Sequence, residues 1–211
     1  MATFLRDSKV LEADVIAVQE PWRNEISDTT HQPAKATHQL LYPGKNEQGT
    51  ARVCMFISKR IDTASWSHSV VSQDYQILKI SHHRGEETRQ LYIHNIYNEP
   101  RSGTFQRLRG ELGRLNHQDQ AAEHVIVGDM NTHHPAWGGP GAAMEAEAEE
   151  LLEVVDEGGL ELATEEGTVT WERGVQRSVI DLTFISSILM NRIVCWERAD
   201  NVQHDSDHWP I

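Results

Sequence analysis

Residues 125–139 read Val-Ile-Val-Gly-Asp-Met-Asn-Thr-His-His-Pro-Ala-Trp-Gly-Gly. Three consecutive β-branched residues drive a strand into a core and commit the chain to a sheet. Gly128 opens room at the strand's end. Asp129 and Asn131 follow at i, i+2, a spacing that puts both side chains on one face of an extended chain. A carboxylate beside an amide at a strand end suits a site that positions a water and a phosphate together.

The remaining pattern predicts what surrounds that strand. Residues 4–12 read as a short helix, and 14–19 as a buried strand that ends at Glu20 and is stopped by Pro21. Residues 23–37 are polar and loop-like. Strands are expected at 38–42, 51–58, 66–71, 75–82 and 90–97, with Pro43-Gly44 and Gly49 as turns and residues 82–87 as a hairpin tip. Ser102 or Thr104 caps a helix through about Asn116, with Phe105, Leu108, Leu112 and Leu115 on one face. Residues 131–142 read as a loop and 143–157 as an acidic helix ending at Gly158-Gly159. Its buried side is expected from Leu151, Leu152 and Val155. Short strands at 160–163, 168–171, 179–185 and 193–198 complete the chain. Many strands with few helices predict an α+β fold, two packed sheets flanked by helices rather than a regular βαβ wind.

Length and composition narrow the class. At 211 residues the chain is expected to form a single domain, 1–211, with a substantial core. No run approaches the ~20 apolar residues needed to span a bilayer, so no membrane partner is expected. No secretory signal is visible, so the expected location is nuclear or cytoplasmic. Cys54 and Cys195 stand apart from any CxxC pair and read as two buried thiols in a reducing compartment. A net charge of −13 is the wrong sign for binding nucleic acid through a diffuse basic surface. An acidic enzyme acts on nucleic acid when a bound cation inverts the local field.

Five segments carry polar groups that a simple core does not need: Glu20, Tyr97-Asn98, Asp129 with Asn131, Asp181, and Asp207-His208. Each follows an apolar run, which predicts a place where a sheet meets solvent. Singly, each has an ordinary structural reading. A strand-end Asp is a turn former, Glu20 caps the turn before Pro21, and Tyr97 is an amphipathic strand residue. His133-His134 invites a zinc reading, but no Cys or third His stands at ligand spacing.

Taken in order, the segments resemble the endonuclease/exonuclease/phosphatase family, and most of all the endonuclease domain of non-LTR (LINE-type) retrotransposons. Gln19-Glu20-Pro21-Trp22 resembles the family's QEP segment and Ile96-Tyr97-Asn98 its tyrosine-bearing strand. Residues 128–138 resemble its GDxNxHHxxWG signature, residues 178–183 its SxIDLT strand, and residues 206–211 its SDHxPI end. The resemblance implies a four-layer α/β/β/α sandwich of two mainly antiparallel sheets. It implies a metal-dependent phosphodiesterase that nicks a DNA strand, leaving a 3′-OH for reverse transcription, with a reverse transcriptase domain normally in the same polypeptide.

It also implies roles. Glu20 and Asp207 would hold a divalent cation, Mg2+ or alternatively Mn2+. Asp129 would take a proton from the attacking water or orient it, and Asn131 would fix that water or a phosphate oxygen. Tyr97 would donate to the phosphate. Asp181 would hold His208 in its charged form so that it donates to a phosphate oxygen. Thr170 would match a phosphate-contacting threonine, with Ser178 a comparable candidate, and His133 and His134 are read as lining the loop or contacting substrate. The family pattern opens with a further strand ending in a metal-site asparagine. Here residues 1–13 already read as the following helix, no Asn precedes Glu20, and the chain stops as the last strand should begin. The expectation is a sandwich lacking the first strand and most of the last, with open edges and weak or absent nicking. The competing readings are a phosphatase of the same fold acting on a small phosphoester, and a catalytically dead remnant with a binding role.

Overall fold

The computed structural model describes residues 3–21, 33–42, 50–85 and 87–211. The turns expected at Pro43-Gly44 and Gly49, Trp22 and most of the polar stretch 23–37 lie outside the described residues.

The helices are α1 (Ser8–Glu12), α2 (Thr104–Gln118), α3 (Pro135–Gly138), α4 (Ala146–Glu157) and α5 (Ser187–Met190). The strands are β1 (Val15–Gln19), β2 (His38–Leu41), β3 (Val53–Ser58), β4 (Trp66–Ser72), β5 (Tyr75–Arg84), β6 (Glu87–Tyr97), β7 (Ala122–Asp129), β8 (Leu160–Leu162), β9 (Trp171–Arg173), β10 (Gln176–Ser178) and β11 (Asp181–Ser186). They form a three-stranded sheet in the order β1-β3-β2, a six-stranded sheet β4-β5-β6-β7-β11-β8, and the small hairpin β9-β10. All pairings are antiparallel except β6 with β7, which α2 connects as a single crossover.

Three apolar interfaces make four layers. Leu5 and Val10 pack on Ile16, Val18, Cys54 and Phe56 at the outer face of the small sheet. Leu41, Met55, Ile57 and Leu78 meet between the sheets. On the far side, α2 and α4 cover the large sheet through Phe105, Leu108, Leu112, Leu115, Leu151 and Val154. The fold is thus the α+β sandwich that the pattern predicts.

Several elements differ from expectation. The first helix is broken at Asp7, whose carboxylate accepts the Lys9 N–H at 2.9 Å and caps α1, leaving residues 4–6 as a 3-10 turn. The loop 131–142 contains α3, which starts at Pro135 behind its His134 cap. Residues 193–198 form no strand among the described residues; the chain there is irregular and follows α5. In α4 the inward positions include Val154 as well as Leu151 and Val155, whereas Leu152 is only half-buried. Cys54 is buried as expected, but Cys195 is exposed.

The topology gathers the polar ends. The parallel register sets Tyr97 opposite Asp129, and the antiparallel register sets Asp181 opposite Asp129. Three neighbouring strands therefore present their polar residues at one end of the large sheet. Gly128 permits this: a Cβ there would lie 1.9 Å from the Ile96 carbonyl oxygen of the neighbouring strand. The small sheet covers only part of the large one. Among the described residues β1 pairs with β3 alone, and a cavity of about 1110 Å3 opens beside it over Ala17, Val125 and Val127. Its mouth holds Glu20, Asp129, Asp181 and His208. No helix among the described residues is long and apolar enough to cross a membrane.

Candidate active site

Asp129 ends β7 and is buried, with both carboxylate oxygens occupied. Oδ1 accepts the Asn131 N–H at 3.0 Å, and Oδ2 accepts the Asn131 side-chain amide at 3.1 Å. The strand does not continue to Asn131, so the alternation argument for a shared face fails there. Instead Asn131 adopts φ 45°, a left-handed turn that folds its amide back onto Asp129 and the Asn98 carbonyl. Asn98 closes this turn. Its N–H donates to the Asp129 carbonyl at 2.8 Å, and its amide donates to the Met130 carbonyl at 3.0 Å.

Asp181 begins β11 rather than ending a strand. Its carboxylate accepts from His208 Nδ1 at 3.0 and 3.1 Å, which leaves Nε2 facing Asp129 Oδ2 at 4.0 Å. His208 lies outside the main sheets; its segment pairs with Trp171 through the Glu172 N–H to Asp207 carbonyl and Trp209 N–H to Thr170 carbonyl bonds. Thr170 is wholly buried, and its hydroxyl oxygen accepts the N–H groups of Ile180 and Asp181 at 3.0 Å. These two contacts fix the start of β11 and so position Asp181.

Burial and neighbouring charge tune this group. Asp129 is pushed up to about 7, first by burial and then by the Asp181 charge, against the pull of His208. Burial disfavours the charged form of His208, but its hydrogen bond to Asp181 and the charges of Asp181, Asp129 and Asp207 outweigh that and raise it to about 9. Tyr97 is half-buried; burial, the Glu20 charge and a hydrogen bond to Glu20 push its hydroxyl up to about 12.

Glu20 follows β1 with φ 46°, and its N–H donates to the Arg52 carbonyl at 2.7 Å. Asp207 is exposed and accepts from Trp171 Nε1 at 3.1 Å, so its carboxylate is turned toward the hairpin. Among the described residues, the group whose ligand atoms lie within 4.8 Å of one another is Asp129, Asp181 and His208. The acidic cluster thus centres on Asp129, with Glu20 across from Tyr97. The carboxylates of Asp129 and Asp181, from neighbouring strands of the large sheet, flank one imidazole, a donor set that fits a hard divalent cation.

The loop histidines divide. His133 Nε2 lies 3.1 Å from Ser178 Oγ, and its Nδ1 lies 3.2 Å from Glu145, at the rim of a small pocket of about 260 Å3. His134 is used by the fold: Nδ1 accepts the Ala136 N–H, and Nε2 donates to Glu149 at 3.1 Å. Both ring nitrogens are thus engaged, and the ring lines the same small pocket as His133. Trp137 is wholly buried and its indole donates to the Thr132 carbonyl, so it packs the loop down. Sequence reading named Asn98 without a role and missed Arg52, whose guanidinium lies 4.7 Å from the centre of the Tyr97 ring. A lone Arg before a strand carries no signal of its own.

The sequence model of a family described as endonuclease-reverse transcriptase matches residues 91–211. No curated protein matches the chain. Among solved structures, the endonuclease domain of TRAS1, a telomere-specific non-LTR retrotransposon, is 16% identical, with 99% of this chain and 88% of that one covered at a TM-score of 0.71. The AP endonuclease LMAP from Leishmania major is 13% identical, with 99% and 80% covered at 0.70. TDP2 of D. rerio, complexed with a single strand DNA product, is 13% identical, with 99% and 89% covered at 0.57. At these identities the structural likeness is one of fold.

Proposed function

This chain belongs to the endonuclease-reverse transcriptase family, and from that premise we propose that it is a metal-dependent phosphodiesterase that nicks one strand of DNA. The observation that carries this reading is convergence. Residues as far apart in the chain as Glu20, Asp129, Asp181 and His208 line one cleft, and Tyr97 is hydrogen-bonded to Glu20 beside it.

Hydrolysis of a phosphodiester needs an oriented water, relief of charge on the phosphate and help for the leaving oxygen. A bound divalent cation, Mg2+ in this proposal, supplies charge relief on the phosphate and the leaving oxygen. Glu20 would hold it, with the Asp129 charge nearby, and Asp207 would join only by leaving its contact with the Trp171 indole. Asp129 accepts the proton of the attacking water, and Asn131 fixes the orientation of that carboxylate by its two contacts. Asp181 accepts from Nδ1 of His208, so Nε2–H is free to donate to a phosphate oxygen. The Tyr97 hydroxyl donates to a second phosphate oxygen. His133 and Ser178 extend a polar path beside this centre for the flanking strand. DNA is the partner, and a reverse transcriptase primed by the new 3′-OH would act next.

The test is a supercoiled plasmid incubated with the purified protein and Mg2+, beside Asp129→Ala and a chelator control. Nicking is expected to require the metal and to fall at least about a hundredfold in Asp129→Ala. Nicking that survives the substitution overturns the role of Asp129. Release of inorganic phosphate from small phosphoesters without nicking replaces the nuclease with a phosphatase.

A further inference from the structure

Arg52 stands just before β3, outside the cluster described above. Its guanidinium makes a two-pronged contact with Asp74 in the β4–β5 turn, Nε to Oδ1 at 2.6 Å and Nη2 to Oδ2 at 2.7 Å. Nη1 reaches Glu99. The flat face of the same group covers the Tyr97 ring at 4.7 Å. The backbone of Arg52 is engaged as well. Its carbonyl accepts the Glu20 N–H at 2.7 Å, and its N–H donates to the Gln73 carbonyl at 2.8 Å. The Asp74 carbonyl in turn accepts the Tyr97 N–H at 2.9 Å.

These contacts join two layers. Glu20 and Arg52 belong to the small sheet; Asp74 and Tyr97 belong to the large one. The Glu20–Tyr97 contact therefore spans the sandwich, and its geometry depends on how the sheets are held at this end. We propose that Arg52 is a positioning residue, a clamp between the sheets that sets the Tyr97 ring against Glu20 and aims the hydroxyl at the scissile phosphate. The activity part of this inference rests on the nuclease reading above. The job needs both properties of a guanidinium: a planar fork that matches the Asp74 carboxylate, and a flat cationic face for the ring. Lysine keeps the charge and supplies neither the fork nor the plane.

The test compares Arg52→Met and Arg52→Lys, each alone and combined with Tyr97→Phe, in single-turnover plasmid nicking with Mg2+. Thermal melts confirm that each variant is folded. Arg52→Met is expected to slow nicking roughly tenfold to a hundredfold with little change in half-saturating plasmid. Arg52→Lys recovers only a minor part. In the Tyr97→Phe background the same Arg52→Met change adds little, because the hydroxyl it positions is already gone. Equal, additive losses in both backgrounds overturn the clamp and leave Arg52 a structural ion pair. A second readout needs no activity: the ring current of Tyr97 displaces the Arg52 Nε–H proton upfield in a nitrogen-correlated NMR spectrum, and Tyr97→Leu removes the displacement. An undisplaced proton overturns the clamp. A displaced proton in a protein that does not nick supports the clamp geometry and overturns the nuclease reading.

Discussion

Asp129, the base of the proposed mechanism, carries a cost to the fold. Its carboxylate is buried beside Asp181, and the two share one imidazole. If Asp129 works ionised and His208 works protonated, nicking rises with pH on the acid side and falls on the alkaline side, and a bound cation lowers both midpoints from their metal-free positions of about 7 and about 9. A bell-shaped rate profile is the expected outcome, and a profile flat from about pH 5 to about pH 10 removes both assignments. Stability has the opposite sign. The folded pKa of Asp129 lies above its unfolded value, so its favourable contribution is full below about pH 4 and lost as the pH rises through about 7. In a chelator at about pH 8, Asp129→Asn is therefore expected to raise the urea midpoint, because it removes a buried charge that folding disfavours. The gain should shrink toward pH 4, as read by urea melts. At this scale the sequence disclosed residue types and their order, because both follow from the chain. It did not disclose directions. The left-handed turn that returns Asn131 to Asp129, the inward hydroxyl of Thr170 and the doubly engaged ring of His134 depend on neighbours distant in sequence or on local backbone geometry.

Elements were legible where periodicity is strong and local. The face of α2 with Phe105, Leu108, Leu112 and Leu115 packs on the large sheet as its spacing predicts. The stretch at 193–198 was not legible, since an apolar run becomes a strand only when a partner edge is available. The pair β6–β7 depends on one backbone position. At Gly128 a Cβ would meet the Ile96 carbonyl oxygen at 1.9 Å and its carbon at 2.8 Å, both backbone atoms that cannot swing aside. Gly128→Ala must part the strands that align Tyr97 with Asp129. A loss of more than about 3 kcal/mol in a denaturant melt is expected, within the range of severe backbone and overpacking substitutions. A variant as stable as the parent would show that the two strands separate freely at this end.

At the scale of the whole molecule, charge and architecture meet at one place. The chain carries a net charge of −13, and the sandwich nonetheless brings Glu20, Asp129 and Asp181 to the mouth of one cavity, with His208 as the adjoining cation. Such a grouping is self-repulsive, and a divalent cation bound there relieves it. Because the cluster is assembled from both sheets, the cation's binding energy is also folding energy. Saturation at ten times the dissociation constant stabilises a fold by about 1.4 kcal/mol, which for a chain of this size raises the melting temperature by roughly 3–5 °C. Mg2+ is expected to produce that rise over a chelator control at matched ionic strength, which separates binding from screening. Glu20→Ala and Asp129→Ala should each abolish most of the Mg2+-dependent increment, whatever they do to the metal-free baseline. An increment equal in both variants and the parent would place the cation elsewhere on the acidic surface and detach this cluster from the metal.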